Sequence, residues 1–263
     1  MQNEDNVHFQ VEKSDVVASG ISDPGQKRSR NEDSIWIHES GRVLLLADGM
    51  GGHERGEEAS DTAIRVFRER LDPEAIREEL EDITALIGVP TEIAGLFPLV
   101  DATVEEAASV LYQRNKELDL ELYMGTTVVG LVLVKDEHVL WFHVGDSRLY
   151  RFRASTLERL TTDHSVHAEW IMSGRKGPEP EKNIITRAIG PSPVVQADSG
   201  WDKREKGDIF VLCSDGLTDM INDERIKDVL NAGDSVEDIA NRLIDAANDA
   251  GGKDNVSVIV CRI

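Results

Sequence analysis

Four short strings in this chain place aspartate beside glycine or a small polar residue: Asp48-Gly49-Met50-Gly51-Gly52, Gly145-Asp146-Ser147-Arg148, Ser214-Asp215-Gly216 and Gly252-Lys253-Asp254-Asn255. They lie far apart, and most of them directly follow an apolar run that reads as a strand. Carboxylates carried to strand ends from distant segments assemble a set of hard oxygen ligands. Such a set suits Mg²⁺ or Mn²⁺ and selects against metals that prefer sulfur. The pattern implies metal-dependent hydrolysis.

Two hard cations about 4 Å apart can clamp both the attacking and the departing oxygen of a phosphate ester. One carboxylate has to bridge the pair while others ligate one ion each. A glycine after the bridging aspartate lets its backbone carbonyl approach a metal without side-chain obstruction. Asp48-Gly49 has that chemistry, and Asp215 and Asp254 are natural further ligands. A phosphate also needs a fixed cation, and the planar fork of arginine matches two phosphate oxygens. Arg28, just before Asn31-Glu32-Asp33, is the candidate and Arg30 the nearby alternative.

The elements that must position these groups are legible from periodicity. Residues 1–12 are polar and acidic and read as a flexible N-terminal tail. Strands are expected at Val16–Gly20, Ser34–His38 and Val43–Ala47. After Asp48 the period becomes helical, with Ala59, Ala63, Val66, Phe67 and Leu71 on one face. A second helix starts at Asp72-Pro73, carries Ile76, Leu80, Ile83 and Ile87, and ends at Gly88. Residues 88–100 read as a loop, and a third helix runs from about Asp101 to Leu118 with Thr103 and Glu106 spaced as a capping box. From Gly125 the chain reads as an antiparallel meander: 126–134, a turn at Asp136-Glu137, 139–144, then Leu149 to Arg153 after Gly145-Asp146. Residues 163–200 are rich in turn formers around a short helix at Val166 to Met172, as in a surface flap. Ile209–Cys213 is a strand, Asn222–Leu230 and Ser235–Ala250 are helices, and Val256–Ile263 is a closing strand. This order favours an α+β layered domain with antiparallel sheets over parallel βαβ alternation.

Composition narrows the function. The 263 residues allow one large domain or two small ones, and 40% apolar content supports a substantial core. The formal net charge of −21 argues against nucleic acid and against an anionic membrane surface. It does not exclude a phosphate ligand, because bound metal ions invert the local field. Cys213 and Cys261 sit in apolar runs and read as buried thiols rather than a redox pair. The opening residues lack the basic and apolar parts of a signal peptide, and no apolar run reaches membrane-spanning length. A soluble, cytoplasmic monomer is the expectation.

The strings together resemble those of the metal-dependent serine/threonine protein phosphatases of type 2C, in their bacterial form. The matching segments are Gly25-Gln26-Lys27-Arg28-Ser29-Arg30-Asn31-Glu32-Asp33-Ser34, Asp48-Gly49-Met50-Gly51-Gly52-His53, Gly125-Thr126-Thr127, Gly145-Asp146-Ser147-Arg148, Thr186-Arg187-Ala188-Ile189-Gly190, Ser214-Asp215-Gly216-Leu217 and Asp254-Asn255-Val256-Ser257. The resemblance spans about Val16 to Ile263. It implies a four-layer αββα sandwich, a single domain over 13–263 with 163–200 as a flap subdomain, and two Mn²⁺ or Mg²⁺ ions with a possible third. By the same resemblance Asp48 bridges the ions and Gly49 contributes its carbonyl. Asp215 and Asp254 complete one shell, and Asp33 with Glu32 acts beside the metals through bound water. Asp146 shares a third ion with Asp215, and Arg28 holds the substrate phosphate. The implied reaction is direct attack of a metal-bridged hydroxide on phosphoserine or phosphothreonine proteins, opposing a cognate serine/threonine kinase.

Met50 stands where some members of that family carry a general-acid histidine. His53 is a candidate substitute, with an ordering role for the loop as the alternative. The segment Leu71–Leu122 is long for the compact bacterial form, with the least family-like text around Thr91 to Pro98. His164 and His167 form at most half a metal site, and a structural role is favoured. Two further functions fit the same residues: a catalytically silent phosphoprotein-binding pseudophosphatase, and a two-metal hydrolase of another phosphate ester such as a nucleotide.

Overall fold

The computed structural model describes residues 7–13, 15–51, 55–79, 88–135 and 137–263. Its elements in chain order are β1 (Val7–Glu12), β2 (Val17–Asp23), β3 (Asp33–Ile37), β4 (Val43–Met50), α1 (Gly56–Arg70), α2 (Pro73–Glu79), α3 (Thr91–Glu117), β5 (Gly125–Thr126), β6 (Val128–Val134), β7 (His138–Val144), β8 (Arg148–Arg153), β9 (Thr156–Arg159), α4 (Val166–Met172), β10 (Asp198–Lys203), β11 (Ile209–Cys213), α5 (Asp215–Thr218), α6 (Asp223–Asn231), α7 (Val236–Asp249) and β12 (Val256–Arg262).

Among the described residues, twelve strands sort into two antiparallel sheets. One has the order β1-β2-β12-β11-β8-β9 and the other β10-β7-β6-β4-β3, with β5 paired to β4. Alternation along the strands explains the layering. In β4, Leu44 and Leu46 point between the sheets, where they meet Leu131, Phe210, Leu212 and Ile259. Val43, Leu45 and Ala47 point outward against α1 and α3. On the far side, Val211, Cys213, Val258 and Val260 face α6 and α7. The result is four layers, αββα, with three apolar seams and the α+β architecture that the strings imply.

One contact inside the second sheet depends on a missing side chain. A Cβ on Gly130 would lie 2.2 Å from the Phe142 ring across the β6–β7 pair. That gap lets Phe142 stack on Phe67 of α1 with ring centroids 5.3 Å apart.

Several elements differ from expectation. Residues 7–12, expected within a tail, pair with β2 in full register from Val7↔Ser22 to Glu12↔Val17. Residues 1–6 lie outside the described set, as do Leu80, Ile83 and Ile87 of the second expected helix. The expected loop at 88–100 is largely helix: α3 starts at Thr91 and passes through Pro98. Burial of Ile93, Leu96, Leu99 and Val100 outweighs the local penalty of an internal proline. Thr103 is therefore no cap but a buried mid-helix residue whose hydroxyl donates to the Leu99 carbonyl at 2.7 Å. The expected meander breaks after β7. β6 and β7 pair in one sheet, while β8 pairs with β11 in the other, so Gly145-Asp146-Ser147 is a crossing between sheets. β9 and β10 were not anticipated, because both are short, polar and at sheet edges. β10 begins inside the segment expected to be flap. Among the described residues no helix is long and apolar enough to cross a membrane.

The Gly130–Phe142 contact sets an expected outcome. Gly130→Ala destabilises the protein by about 1–3 kcal/mol through overpacking, read as a lowered urea midpoint. Adding Phe142→Leu in the same chain recovers part of the loss. Equal midpoints for wild type and Gly130→Ala would remove this contact from the account.

Candidate metal centre

The catalytic candidates come from strand ends that share one end of the sandwich. Asp33 opens β3 and pairs in register with Asp48 near the end of β4. Asp215 follows the last residue of β11, which pairs with the start of β12, and Asp254 precedes β12. Asp146 sits in the crossing from β7 to β8. Gly145 makes that turn at φ +101, packed so that a Cβ would lie 2.6 Å from the Thr127 side chain. Antiparallel pairing thus brings five carboxylates from distant segments together.

Their electrostatics record the convergence. Burial drives the Asp48 carboxyl well above its usual range, and Asp33, Asp215, Asp146 and Asp254 push it further. Asp215 is likewise raised well above normal by burial and by Asp146, Asp219, Asp254 and Asp33. Asp33 is pushed up to about 6 by burial, with the nearby Ser257 and Ser214 hydroxyls opposing. Both of its carboxylate oxygens are buried without a hydrogen-bond partner among the described residues. Asp146 is raised to about 6 by burial and then by Asp163. Buried like charges with orphaned oxygens are costly unless a cation compensates. The donor set is all oxygen, without a nearby thiolate, and fits hard divalent ions.

Backbone bonds hold the ligand-bearing segments in place. The Asp48 N–H donates to Thr127 Oγ1 at 3.0 Å. The Asp48 carbonyl accepts from the Thr126 hydroxyl and the Thr127 N–H, each at 2.9 Å. Gly49 donates its N–H to the Glu32 carbonyl at 3.1 Å. A Cβ there would lie 2.1 Å from the Gly56 carbonyl oxygen and 2.5 Å from that of Glu32, so only glycine fits. The Glu32 carboxylate accepts the Gly56 N–H at 3.0 Å and so caps the start of α1. Glu32 thereby ties the Arg28 loop to the helix that follows Asp48.

Arg28 reaches the cluster. Its Nη2 donates to Asp254 Oδ2 at 2.7 Å, with both side chains about half exposed. Burial opposes its charge, but Asp254, Glu32 and Asp48 raise its pKa overall. Arg30 points instead into a separate cleft beside Asp33. Asn255 is a positioning residue whose role was not evident in sequence. It accepts the Glu32 N–H at 2.9 Å and donates to the carbonyls of Arg30 at 2.8 Å and Pro24 at 3.1 Å, clamping the Arg28 loop onto β12. Asp219 was also missed; it lines a cleft of about 390 Å³ with Asp146, Asp163 and Asp215. The i, i+4 spacing of Asp215 and Asp219 was the available signal. His53 lies outside the described residues, and Met50 ends β4.

The segment that follows β9 is joined to the crossing that carries Asp146. Gly145 N–H donates to His164 Nδ1 at 3.1 Å, and His164 N–H donates to the Gly145 carbonyl at 3.0 Å. His164 and Asp198 approach His143, with ligand atoms within 4.8 Å of one another. A guanidinium already supplies the positive charge there: Arg187 Nη1 lies 3.1 Å from His164 Nε2 and 2.6 Å from Asp198 Oδ1. His167 faces Glu179 instead, at 3.1 Å. The two histidines thus belong to ion-pair networks of the flap.

The family model for Protein phosphatase 2C matches residues 25–255. The chain belongs to the protein phosphatase 2C family. It is 34% identical over 252 residues to the protein phosphatase PhpP of Streptococcus pneumoniae, covering 90% of this chain and 94% of that one. The crystal structure of the Mycobacterium tuberculosis serine/threonine phosphatase PstP/Ppp superposes with a TM-score of 0.80 at 33% identity, covering 94% and 98% of the two chains. The catalytic domain of PstP in complex with two manganese ions superposes with a TM-score of 0.78 at 34% identity, covering 94% and 97%.

His143 gives the centre's surroundings a pH dependence. Burial, then the neighbouring His164, lowers its pKa from 6.5 to about 4. The folded state therefore prefers the neutral ring, and the associated stability is intact above about pH 6.5 and lost as pH falls toward 4. Across that window His143 accounts for on the order of 2–3 kcal/mol, measured by urea unfolding. His143→Asn flattens the acid limb of the stability profile; superimposed limbs would remove His143 as its source.

Proposed function

We propose that the protein hydrolyses phosphoserine and phosphothreonine on proteins at this divalent-metal centre. The observation that carries the reading is the meeting of Asp33, Asp48, Asp146, Asp215 and Asp254 beside the Arg28 guanidinium. In this reading Asp48, the Gly49 carbonyl, Asp215 and Asp254 would hold the divalent ions, with Asp33 and Glu32 beside them acting through bound water. Asp146, with Asp215, would hold a further ion. When bound, divalent ions supply Lewis acidity toward the phosphate and a nucleophile from water at neutral pH.

The chain's own residues do the rest. Arg28 sits where its fork can transfer from Asp254 to two phosphate oxygens, fixing the ester for in-line displacement. Thr126 and Thr127 keep the Asp48 backbone from shifting as charge moves, and Asn255 keeps Arg28 in register with the carboxylates. A covalent phospho-enzyme is not part of the scheme. Both cysteines are buried in the sheets with thiols pushed up to about 12, chiefly by burial. Retention of the full acidic set supports catalysis over a silent scaffold. Mn²⁺ or Mg²⁺ is the proposed metal. The chain is proposed to act as a cytoplasmic monomer opposing a serine/threonine kinase, with one catalytic domain that includes β1 and with the segment from 163 to the start of β10 as its flap.

Hydrolysis of p-nitrophenyl phosphate in Mn²⁺ is expected to fall to background with EDTA and to return on adding metal. Asp48→Asn reduces it to background as well, and calorimetry of that variant shows weakened Mn²⁺ binding. Activity surviving both treatments would rule out the dinuclear assignment. Arg28→Ala leaves Mn²⁺ binding near normal and lowers kcat/KM about 10–100-fold, the cost of a lost charge-assisted phosphate contact. Steady-state kinetics read this directly.

A further inference from the structure

A second cleft, of about 520 Å³, adjoins Asp33 at the catalytic end. Its walls are β1, β3, the Arg30–Asn31 stretch before β3 and the first turns of α1. β1 is the last strand of its sheet. We infer that this cleft seats the polypeptide that flanks the phosphorylated residue and selects substrates carrying a basic side chain there. The inference rests on the protein phosphatase reading and specifies its substrate class.

Position supports it first. Gly49 and Gly56 are in backbone contact, so Glu57 is one residue from the candidate metal centre. A phosphoresidue held between Asp48 and Arg28 leaves its neighbouring residues to pass over an adjoining surface, and this cleft begins at Asp33.

Chemistry supports it second. Val7, which is 43% exposed, and Phe9 line one wall. Glu57 and Asp61, one helical turn apart on α1, are both exposed along the other. Among the described residues neither forms a salt bridge, although Asp61 accepts a bond from the Ser34 hydroxyl. Arg30 also lines the cleft, so its exposed charge is two carboxylates against one guanidinium; the apolar wall and the carboxylate excess complement the stem and head of arginine or lysine. The chain's own residues 1–6, which lead into β1, carry Glu4 and Asp5 and no base. Glu57 and Asp61 oppose those acids while Arg30 favours them, so the test includes removal of residues 1–6.

The test compares phosphothreonine peptides that differ only in arginine or glutamate at positions two to five residues from the phosphothreonine. Wild type is expected to favour arginine at one or more positions by about tenfold in kcat/KM, the size of one charge-assisted contact. Glu57→Lys with Asp61→Lys erases or inverts that preference, while kcat/KM for p-nitrophenyl phosphate stays within about twofold. Glu57→Gln alone, which leaves the Ser34–Asp61 bond in place, weakens the preference and serves where the double variant does not fold. A preference unchanged in both variants, or its absence in wild type with p-nitrophenyl phosphate still cleaved, overturns the inference. Loss of p-nitrophenyl phosphate cleavage in wild type would instead count against the phosphatase reading itself. Deletion of residues 1–6 is expected to leave peptide kinetics unchanged. A gain in affinity for every peptide irrespective of charge would assign the cleft to the chain's own N-terminus and overturn the proposal.

Discussion

Repulsion among buried carboxylates is the constraint around which this molecule is organised. Asp48 is partly buried and feels four other acids, and each raises the free energy of its neighbours' ionised forms. A fold does not gain stability by gathering such groups. It tolerates them because two packed sheets with three apolar seams supply enough burial elsewhere. Divalent cations convert the same repulsion into affinity, so the strain of the metal-free cluster and the chemistry of the loaded one have a single origin.

The sheets solve a positioning problem that no local segment can solve. The acids lie on both sheets and on the crossings between them. In-register pairing of β3 with β4 sets Asp33 opposite Asp48, and pairing of β11 with β12 sets the Asp215 and Asp254 strand ends side by side. Rigid strand ends hold ligands better than long loops would. Where loops are unavoidable, polar clamps replace the ladder. Asn255 holds the Arg28 loop, Thr126 and Thr127 hold Asp48, and Glu32 joins that loop to α1. His164 ties the segment after β9 to the crossing that bears Asp146.

Most of the sandwich was legible in advance because its central strands are apolar and β-branched and its later helices carry clear caps. Ser235 accepts the Asp238 N–H and Asn222 accepts the Arg225 N–H. The misreadings have physical causes. Pro98 argued locally for a loop, yet burial of one face of α3 overrode it. Thr103-x-x-Glu106 mimicked a capping box within a helix that had already begun. β1, β9 and β10 lie at edges, where half-exposed polar strands lack a periodic signal.

Residue types and spacing by themselves determined which groups were on offer: carboxylates after strands, a glycine directly after one of them, and an arginine upstream of a third. They determined no distances. Tertiary structure alone decided that β8 leaves the sheet of β7 and that Arg28 meets Asp254 across 226 positions of chain. It also decided that Asn255 holds the loop between them. The reason is that hydrophobic periodicity records only which face of a strand is buried. Which strands become neighbours is settled by packing the whole core, and ligand geometry follows from that choice.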